Sequence, residues 1–188
     1  MPPLAREILD FWFGPPPHSP RAEWFRKDAA FDATIVQRFG ETIEAAIGGA
    51  YREWRSDAHG ALARILLLDQ FTRNAFRGTA GAFAGDSEAL ATAIDLVDRG
   101  LDRTLDRYER SFVYLPFEHS EDRQMQDRSV ALFSGLERDS GDRAALHWAE
   151  KHAAIIRRFG RYPHRNAALG RASTPEEIEF LKEPGSGF

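Results

Sequence analysis

The sequence contains no cysteine among its 188 residues. Disulfide bonds, thiolate metal sites and a cysteine nucleophile are therefore excluded. Long apolar runs are missing as well, because the longest run of large aliphatic residues is Ile65-Leu66-Leu67-Leu68. A helix that crosses a membrane needs about 20 apolar residues, so the sequence predicts no membrane partner.

A basic excess is also missing, since 25 Lys and Arg stand against 29 Asp and Glu, for a net charge of -4. Nucleic-acid-binding proteins carry clustered basic surfaces, and the sequence therefore predicts no nucleic-acid partner. The first residues, MPPLAREILDFWF, lack the basic segment and long apolar run of a secretory signal. We therefore expect a cytoplasmic protein.

What the sequence does have is core material, with 43% hydrophobic residues, 14 Phe and 4 Trp. A chain of this length suits one domain, and we predict a single helical domain over residues 1–188. Helical spacing is clear where Phe31, Ile35, Phe39, Ile43 and Ile47 recur four residues apart. No segment shows the sustained alternation of a strand.

Capping and stop signals divide the chain into about eight predicted helices. The pattern favours an all-α fold of antiparallel helix pairs, stacked as a tetratricopeptide-like solenoid or as a bundle. The predicted helices run from Pro2–Pro3 to Phe13, from Ser19–Pro20 through Phe25, from Asp28 to Ile47, from Asp57 to about Ala75, from Asp86 or Ser87 to Gly100, from Thr104 to Pro116, from about Phe117 to Arg138, from about Asp142 to Phe159, and from Thr174 onward. Pro116 either ends its helix or kinks it.

Three polar clusters fall on faces that are predicted to point inward. The first is LLLDQFTRNAFRG, residues 66–78, on a helix that is apolar almost all round. Asp69 and Arg73 are spaced i, i+4 and should pair, because an unpaired buried carboxylate is costly. Gln70 and Asn74 make a second pair with the same spacing. This cluster is either a polar network that ties helices together or part of a ligand pocket.

The second cluster is EHSED, residues 118–122, at the start of the helix predicted from Phe117. Helical spacing places Glu118 and Asp122 on the face of Gln126 and Ser129, with His119 and Glu121 at its edges. Carboxylates near a helix N-terminus are also explained by the helix dipole. His119 with Asp122 could share a metal ion, although no strong metal signature is present. Glu118 or His119 could act as a general acid or base.

The third cluster is RRFGRYPHRNAALGRAST, residues 157–174, which holds five arginines together with His164 and Asn166. Arginine forks suit carboxylates and phosphates, so the segment could clamp an anion. Alternatively, its arginines form salt bridges with the acids of the second cluster. His152 shares a face with Trp148, Ile155 and Phe159, which predicts a satisfied core histidine.

The sequence resembles domain-of-unknown-function family 924, an uncharacterised bacterial family. The resemblance spans nearly the whole chain and no marked position departs from the family pattern. The blocks that carry it are ILDFWFG (8–14), LLLDQFTRNAFRGTAGAFAGD (66–86), YLPFEHSEDRQMQDRSVALF (114–133), RFGRYPHRNAALGRAST (158–174) and EEIEFL (176–181). The resemblance implies an all-helical fold of tetratricopeptide-like type, but no reaction.

It also implies that the three clusters belong to a pattern shared by the family. We therefore hypothesise one pocket from their polar residues, namely Asp69, Gln70, Arg73, Asn74, Arg77, Glu118, His119, Glu121, Asp122, Arg161, His164, Arg165 and Asn166.

Three functions remain open at this point. The preferred interpretation is a helical binding module whose Arg-, Glu- and His-lined pocket takes an anionic small molecule or a peptide. The alternative is a hydrolase with Glu118 or His119 as general base and Arg161 or Arg165 stabilising negative charge, with or without a metal held by His119, Asp122 and His164. A purely structural scaffold is the third. No cofactor is expected, and the sequence does not give the oligomeric state.

Overall fold

The computed structural model describes residues 1–141 and 143–187, and these ranges contain helices and connecting segments but no strand. The predicted all-α class is therefore confirmed, while the tetratricopeptide-like pairing stays a prediction. The helices are α1 (Pro3–Phe13), α2 (Ala29–Ile47), α3 (Ala58–Ile65), α4 (Thr72–Ala75), α5 (Asp86–Asp98), α6 (Arg107–Glu118), α7 (Arg123–Ser140), α8 (Ala144–Phe159) and α9 (Pro175–Phe180). Short 3-10 turns occupy Ala22–Trp24, Arg52–Ser56, Ala80–Phe83, Leu101–Thr104 and Pro163–Arg165.

Helix starts follow the capping residues that the sequence offers. Asp28 accepts hydrogen bonds from the backbone N–H groups of Ala30 and Phe31, and Asp57 accepts one from Gly60. Thr174 forms the predicted capping box with Glu177. Asp142, the predicted start of the helix that ends at Phe159, lies outside the described residues.

The helix predicted from Asp57 to Ala75 is present, and its middle is a π-helical turn. Residues Leu66–Phe71 form this turn between α3 and α4, so α3, the turn and α4 make one continuous helix. Counted in this way, the ranges that the structure describes contain eight helices. π-turns within α-helices are rare and occur frequently at functional sites. Gly85 packs directly against this turn, because a Cβ atom at that position would lie 2.2 Å from the Leu68 carbonyl oxygen.

The chain divides into two compact units. The first unit comprises Met1–Arg77 and Gly81–Pro116, and within it α1 and α5 pack against α3 while α2 packs against the π-turn and α4. Its core is aromatic. Trp12, for example, lies with its ring centroid 5.5 Å from those of Phe71 and Phe112, and Phe11 lies 5.2 Å from Phe39.

The second unit comprises residues 78–80 and the chain from Phe117 onward. Its main feature is the packing of α7 against α8, with Phe133, Leu136, Leu146 and Ile156 buried. The prediction of a single domain over residues 1–188 stays a prediction.

The predicted boundary between α6 and α7 is wrong. α6 does not end at Pro116 but continues to Glu118, and α7 begins at Arg123 rather than at Phe117. The physical reason lies in the residues between them: Asp122 caps α7 by accepting from the N–H groups of Gln124 and Met125. Glu118 therefore belongs to the end of one helix and Asp122 to the start of the next.

None of the helices in the described residues has the length and the apolar character that a membrane crossing requires.

Candidate functional site

The first polar cluster lies in the first unit and consists of ion pairs between helices. Asp69 is fully buried, and the predicted pair with Arg73 is present with 3.2 Å between Asp69 Oδ1 and Arg73 Nη1. Arg73 also donates to both carboxylate oxygens of Asp86, at 2.9 and 3.2 Å. Gln70 donates to Asp69 Oδ2 at 2.6 Å. The cluster thus ties the π-turn and α4 to the start of α5.

The other two residues of this cluster reach α2. Asn74 does not pair with Gln70 as predicted but donates to Asp32 at 2.7 Å. Arg77 donates to both oxygens of Asp32 at 2.9 and 2.8 Å. Burial alone would raise the pKa of Asp32, but the hydrogen bonds from Arg77 and Asn74 outweigh it and lower that pKa. For this cluster, the structural-network interpretation is the better supported one.

The arginines of the third cluster are also engaged by protein carboxylates. Arg171 forms a two-pronged ion pair with Glu121, at 2.7 and 2.9 Å. Burial raises the pKa of Glu121, and the Arg171 hydrogen bonds more than offset this, so the pKa is lowered. This contact agrees with the predicted salt bridges to the second cluster.

Arg161 does not pair with an acid of the second cluster, as the predicted salt bridges would require. It donates to both oxygens of Glu177, at 2.6 and 2.7 Å, in α9. These hydrogen bonds hold the pKa of Glu177 at about 2. Asn166 lies beside the same carboxylate, with its Nδ2 donating to Glu177 Oε2 at 3.3 Å. These side chains fix the loop after α8 to α9.

The second cluster does not form one inward helical face, because of the break between α6 and α7. Asp122 is exposed, and its Oδ1 accepts the backbone N–H groups of Gln124 at 2.7 Å and Met125 at 3.1 Å. Helix capping by a carboxylate at the start of α7 therefore accounts for Asp122. Glu118, by contrast, is only 4% exposed, and it lies in a different group of side chains.

That group, which we call the Tyr162 cluster, gathers around one buried phenol of the second unit. The Tyr162 hydroxyl donates to the backbone carbonyl of Glu118 and accepts from Gln126 Nε2 at 2.9 Å. The guanidinium carbon of Arg165 lies 4.6 Å from the centre of the Tyr162 ring. Burial raises the pKa of the Tyr162 hydroxyl, which stays protonated. The cluster comprises Glu118, His119, Gln126, His152, Tyr162, His164 and Arg165.

Three imidazoles lie in this cluster. The His152 ring is 5.6 Å from the Tyr162 ring and 6.3 Å from the His119 ring, and the His164 ring is 5.5 Å from that of Tyr162. His152 Nδ1 lies 3.1 Å from Glu118 Oε1 and 2.9 Å from the Trp148 carbonyl oxygen. Both neighbours are acceptors, so Nδ1 carries the proton.

Burial of the His152 ring lowers its pKa to about 3, and the nearby His119 adds to the effect. At neutral pH the ring is therefore uncharged. Its contact with Glu118 then involves a neutral imidazole and is not an ion pair. A base this weak transfers protons poorly near pH 7.

Two buried oxygen atoms on α7 accept no hydrogen bond from the part of the chain that the structure describes. They are Gln126 Oε1 and Ser129 Oγ, in residues that are 1% and 0% exposed. The Gln126 amide is oriented by its other end, because Nε2 donates to the carbonyls of Glu118 at 2.7 Å and Ser120 at 2.6 Å. Buried acceptors without a donor are uncommon in native proteins and require an explanation.

Sequence reasoning missed the roles of Tyr162 and His152. Helical spacing correctly placed His152 in the interior, but it gave no reason to connect that residue with Glu118, which is 34 residues earlier in a different helix. Tyr162 stands within the RYPHRN segment. The usable signal there was that a buried tyrosine hydroxyl nearly always needs a hydrogen-bond partner.

The thirteen predicted pocket residues thus fall into two sets. Asp69, Gln70, Arg73, Asn74 and Arg77 lie in the first unit, and the other eight lie in the second. Of those eight, Glu118, His119, His164 and Arg165 contribute to the Tyr162 cluster. Glu121, Arg161 and Asn166 make the contacts that hold the loop after α8, and Asp122 caps α7. A single pocket that combines all thirteen stays a prediction.

Known proteins similar to this chain bear out the resemblance seen in its motifs. A solved structure of a protein of unknown function from Agrobacterium tumefaciens is 43% identical, covers 96% of this chain and 98% of its own, and superposes with a TM-score of 0.85. No protein with a curated description matches the chain. The model of the family described as bacterial protein of unknown function DUF924 matches residues 8–185. The chain therefore belongs to the DUF924 family of bacterial proteins.

Proposed function

We propose that the protein is a helical binding module that takes a small anionic molecule, or the anionic end of a peptide, at the Tyr162 cluster. The observation that carries the proposal is the buried acceptor Gln126 Oε1, with Ser129 Oγ one turn further along α7. The Gln126 amide contacts the buried Tyr162 phenol, and the Arg165 guanidinium lies over the Tyr162 ring. A ligand with a hydrogen-bond donor would satisfy the acceptors, and its negative charge would interact with Arg165.

The energetic cost of the cluster supports a functional role. Glu118, His152, Tyr162 and Arg165 are each no more than 6% exposed. Replacing buried charged groups with apolar residues of similar volume is often neutral or stabilising. Stability alone therefore does not account for placing a carboxylate, an imidazole and a guanidinium together in the interior of the second unit.

The ion pairs narrow the set of residues that would contact the anion. Arg161 and Arg171 are held by Glu177 and Glu121, and Arg73 and Arg77 by carboxylates of the first unit. Using any of these four for a ligand would require breaking a two-pronged contact. Within the Tyr162 cluster, the proposed anion-contacting set is Arg165, whose guanidinium carbon lies 4.6 Å from the centre of the Tyr162 ring, with the His119 and His164 rings.

Thermal unfolding in the presence of anions tests the proposal. The probes are inorganic phosphate, succinate, citrate and a short peptide with a free carboxyl terminus. A bound anion at 100 times its Kd should stabilise the folded state by about 2.7 kcal/mol, which raises Tm by several degrees. Arg165→Gln should abolish the rise, and Arg165→Lys should reduce it, because lysine keeps the charge but loses the planar fork.

Arg157→Gln is the matched control. Arg157 is 60% exposed and pairs with the exposed Asp127, so it lies on the surface and outside the Tyr162 cluster. The proposal requires Arg157→Gln to keep the full Tm rise. If none of the anions raises Tm in the wild type, or if Arg165→Gln retains the whole effect, the Tyr162 cluster is not an anion site and the scaffold interpretation gains support.

A second candidate, acid–base hydrolysis, is favoured by one specific observation. Glu118 Oε1 lies 3.1 Å from His152 Nδ1, an arrangement in which a carboxylate orients an imidazole. The lowered pKa of His152, about 3, makes this ring a weak base, which is why we place binding first. Turnover of p-nitrophenyl acetate that disappears in Glu118→Gln, with the fold intact, would reverse that order. Equal turnover in wild type and variant would remove Glu118 from a catalytic role.

A further inference from the structure

A group of imidazoles and carboxylates in the first unit lies at the start of α6. It contains His18, His59, Asp106 and Glu109. His18 Nδ1 lies 2.6 Å from Asp106 Oδ2, and His59 Nε2 lies 3.5 Å from Glu109 Oε1. The candidate ligand atoms of His18, Asp106 and Glu109 all lie within 4.8 Å of one another.

Helix capping accounts for only half of the carboxylate oxygens in this group. Asp106 Oδ1 accepts the backbone N–H groups of Tyr108 at 2.8 Å and Glu109 at 3.0 Å, and Glu109 Oε2 accepts the Asp106 N–H at 3.0 Å. These contacts make a reciprocal capping box. The two remaining oxygens face imidazoles: Asp106 Oδ2 is hydrogen-bonded to His18 Nδ1 at 2.6 Å, and Glu109 Oε1 lies 3.5 Å from His59 Nε2.

The burial of Glu109 is a second, independent observation. Its side chain is only 7% exposed, and its Oε1 lies 3.5 Å from His59 Nε2. A buried carboxylate is costly unless a positive charge lies next to it. A divalent cation bound at this group would supply that charge.

We propose that His18, Asp106 and Glu109, with His59 as a fourth ligand, form a site for a divalent transition-metal ion. Two imidazoles with two carboxylates are a donor set that suits Zn²⁺, whose ligand bonds measure roughly 2.0–2.2 Å. Tetrahedral bonds of that length place neighbouring ligand atoms roughly 3.4 Å apart. The ligand atoms of His18, Asp106 and Glu109 lie within 4.8 Å of one another, and His59 Nε2 lies 3.5 Å from Glu109 Oε1. Metal binding at this spacing would leave Asp106 Oδ1 and Glu109 Oε2 in their capping bonds.

Calorimetric titration of the untagged, full-length protein with Zn²⁺ tests the proposal, and Co²⁺ absorbance reports the geometry. We expect one Zn²⁺ per chain, and a Co²⁺ spectrum with the intense visible bands of a tetrahedral site. His18→Ala should weaken Zn²⁺ binding by about 100-fold, since even the outer partners of metal ligands change affinity by 10- to 100-fold. His147→Ala, which removes an exposed histidine of α8, should leave the affinity unchanged.

Asp106→Asn separates the metal site from the helix cap. Asparagine caps a helix about as well as aspartate, so this variant should keep the Tm of the metal-free protein while Zn²⁺ affinity falls at least about tenfold. Equal Zn²⁺ affinity in wild type, His18→Ala and Asp106→Asn would show adventitious surface binding and overturn the proposal. So would an absence of Zn²⁺ binding at submillimolar concentrations. Neither result bears on the Tyr162 cluster, whose test uses anions and other residues.

Discussion

The two compact units bury different proportions of apolar and polar side chains. The first unit fills its interior with rings and aliphatic side chains, among which Trp12, Phe39, Phe71 and Phe112 are no more than 1% exposed. The second unit buries a few apolar side chains and, beside them, a larger share of polar ones. Its buried polar residues are Glu118, Gln126, Ser129, His152, Arg165, Asn166, Glu177 and Ser186, in addition to Tyr162.

This difference matters because buried apolar side chains stabilise the fold, whereas the burial of polar side chains needs another explanation. Each buried apolar side chain contributes roughly 1.5–3 kcal/mol by leaving water, and the rings of the first unit add favourable edge-to-face contacts. Buried polar networks contribute much less net stability, because their hydrogen bonds replace bonds to water. A site is therefore more readily argued for the second unit, where polar side chains make up a larger share of the buried residues, than for the aromatic core of the first.

The largest expected effect concerns Trp12, in the aromatic core of the first unit. The residue is 0% exposed, and its indole N–H donates no hydrogen bond to the described residues, so truncation removes packing alone. Trp12→Ala should lower the free energy of unfolding by about 3–5 kcal/mol, as measured by urea denaturation. Phe25→Ala is the control, since Phe25 is 76% exposed. Comparable small losses in both variants would contradict an aromatic core as the main source of stability.

The next largest effect is a loss of folding stability at acid pH, which the buried, neutral imidazole of His152 should cause. Unfolded, this ring binds a proton with a pKa of 6.5, whereas in the folded state its pKa is about 3. Between these values the unfolded chain binds more protons, so stability is complete above pH 6.5 and falls as the pH drops toward 3. From pH 6.5 to pH 4 the loss attributable to His152 should be about 3 kcal/mol.

The measurement is the free energy of unfolding against pH for the wild type and His152→Gln, which cannot titrate. The difference between their pH profiles isolates the histidine from carboxylates such as Glu177, whose pKa is also lowered and which also reduce stability in acid. His147→Ala, which alters an exposed histidine, should follow the wild-type profile. If His152→Gln loses stability in acid as steeply as the wild type, the His152 ring is not held neutral by burial.

The helices were largely predictable from the sequence, because their signals are local. Asp28, Asp57 and Thr174 each sit within three residues of the N–H groups that they cap. The end of α6 depends instead on groups outside that helix: the Gln126 amide and the Tyr162 hydroxyl both donate to its last carbonyl, that of Glu118. Prediction from helical spacing therefore assigned Glu118 to α7, although it is the last residue of α6.

The candidate site was predictable only in part, for the same reason. The third cluster was identified correctly as rich in arginine, but which carboxylate each arginine contacts depends on tertiary packing. Arg161 takes Glu177 and Arg171 takes Glu121, and no spacing rule distinguishes these pairs. The π-turn at Leu66–Phe71 was also beyond prediction, since an apolar run looks the same in either helical form.

The smallest effect tests whether Asp122 belongs to the buried polar groups of the second unit or only to the start of α7. It is exposed and caps that helix, so Asp122→Ala should cost about 1 kcal/mol in unfolding free energy, and Asp122→Asn only a few tenths. In neither variant should the anion-induced rise in Tm change, because a cap on the surface does not contact the ligand. A ligand contact would instead depend on the carboxylate charge, so Asp122→Asn would alter the response to anions while keeping the stability. That result would return Asp122 to the site and would extend the polar cluster from the interior of the second unit to its surface.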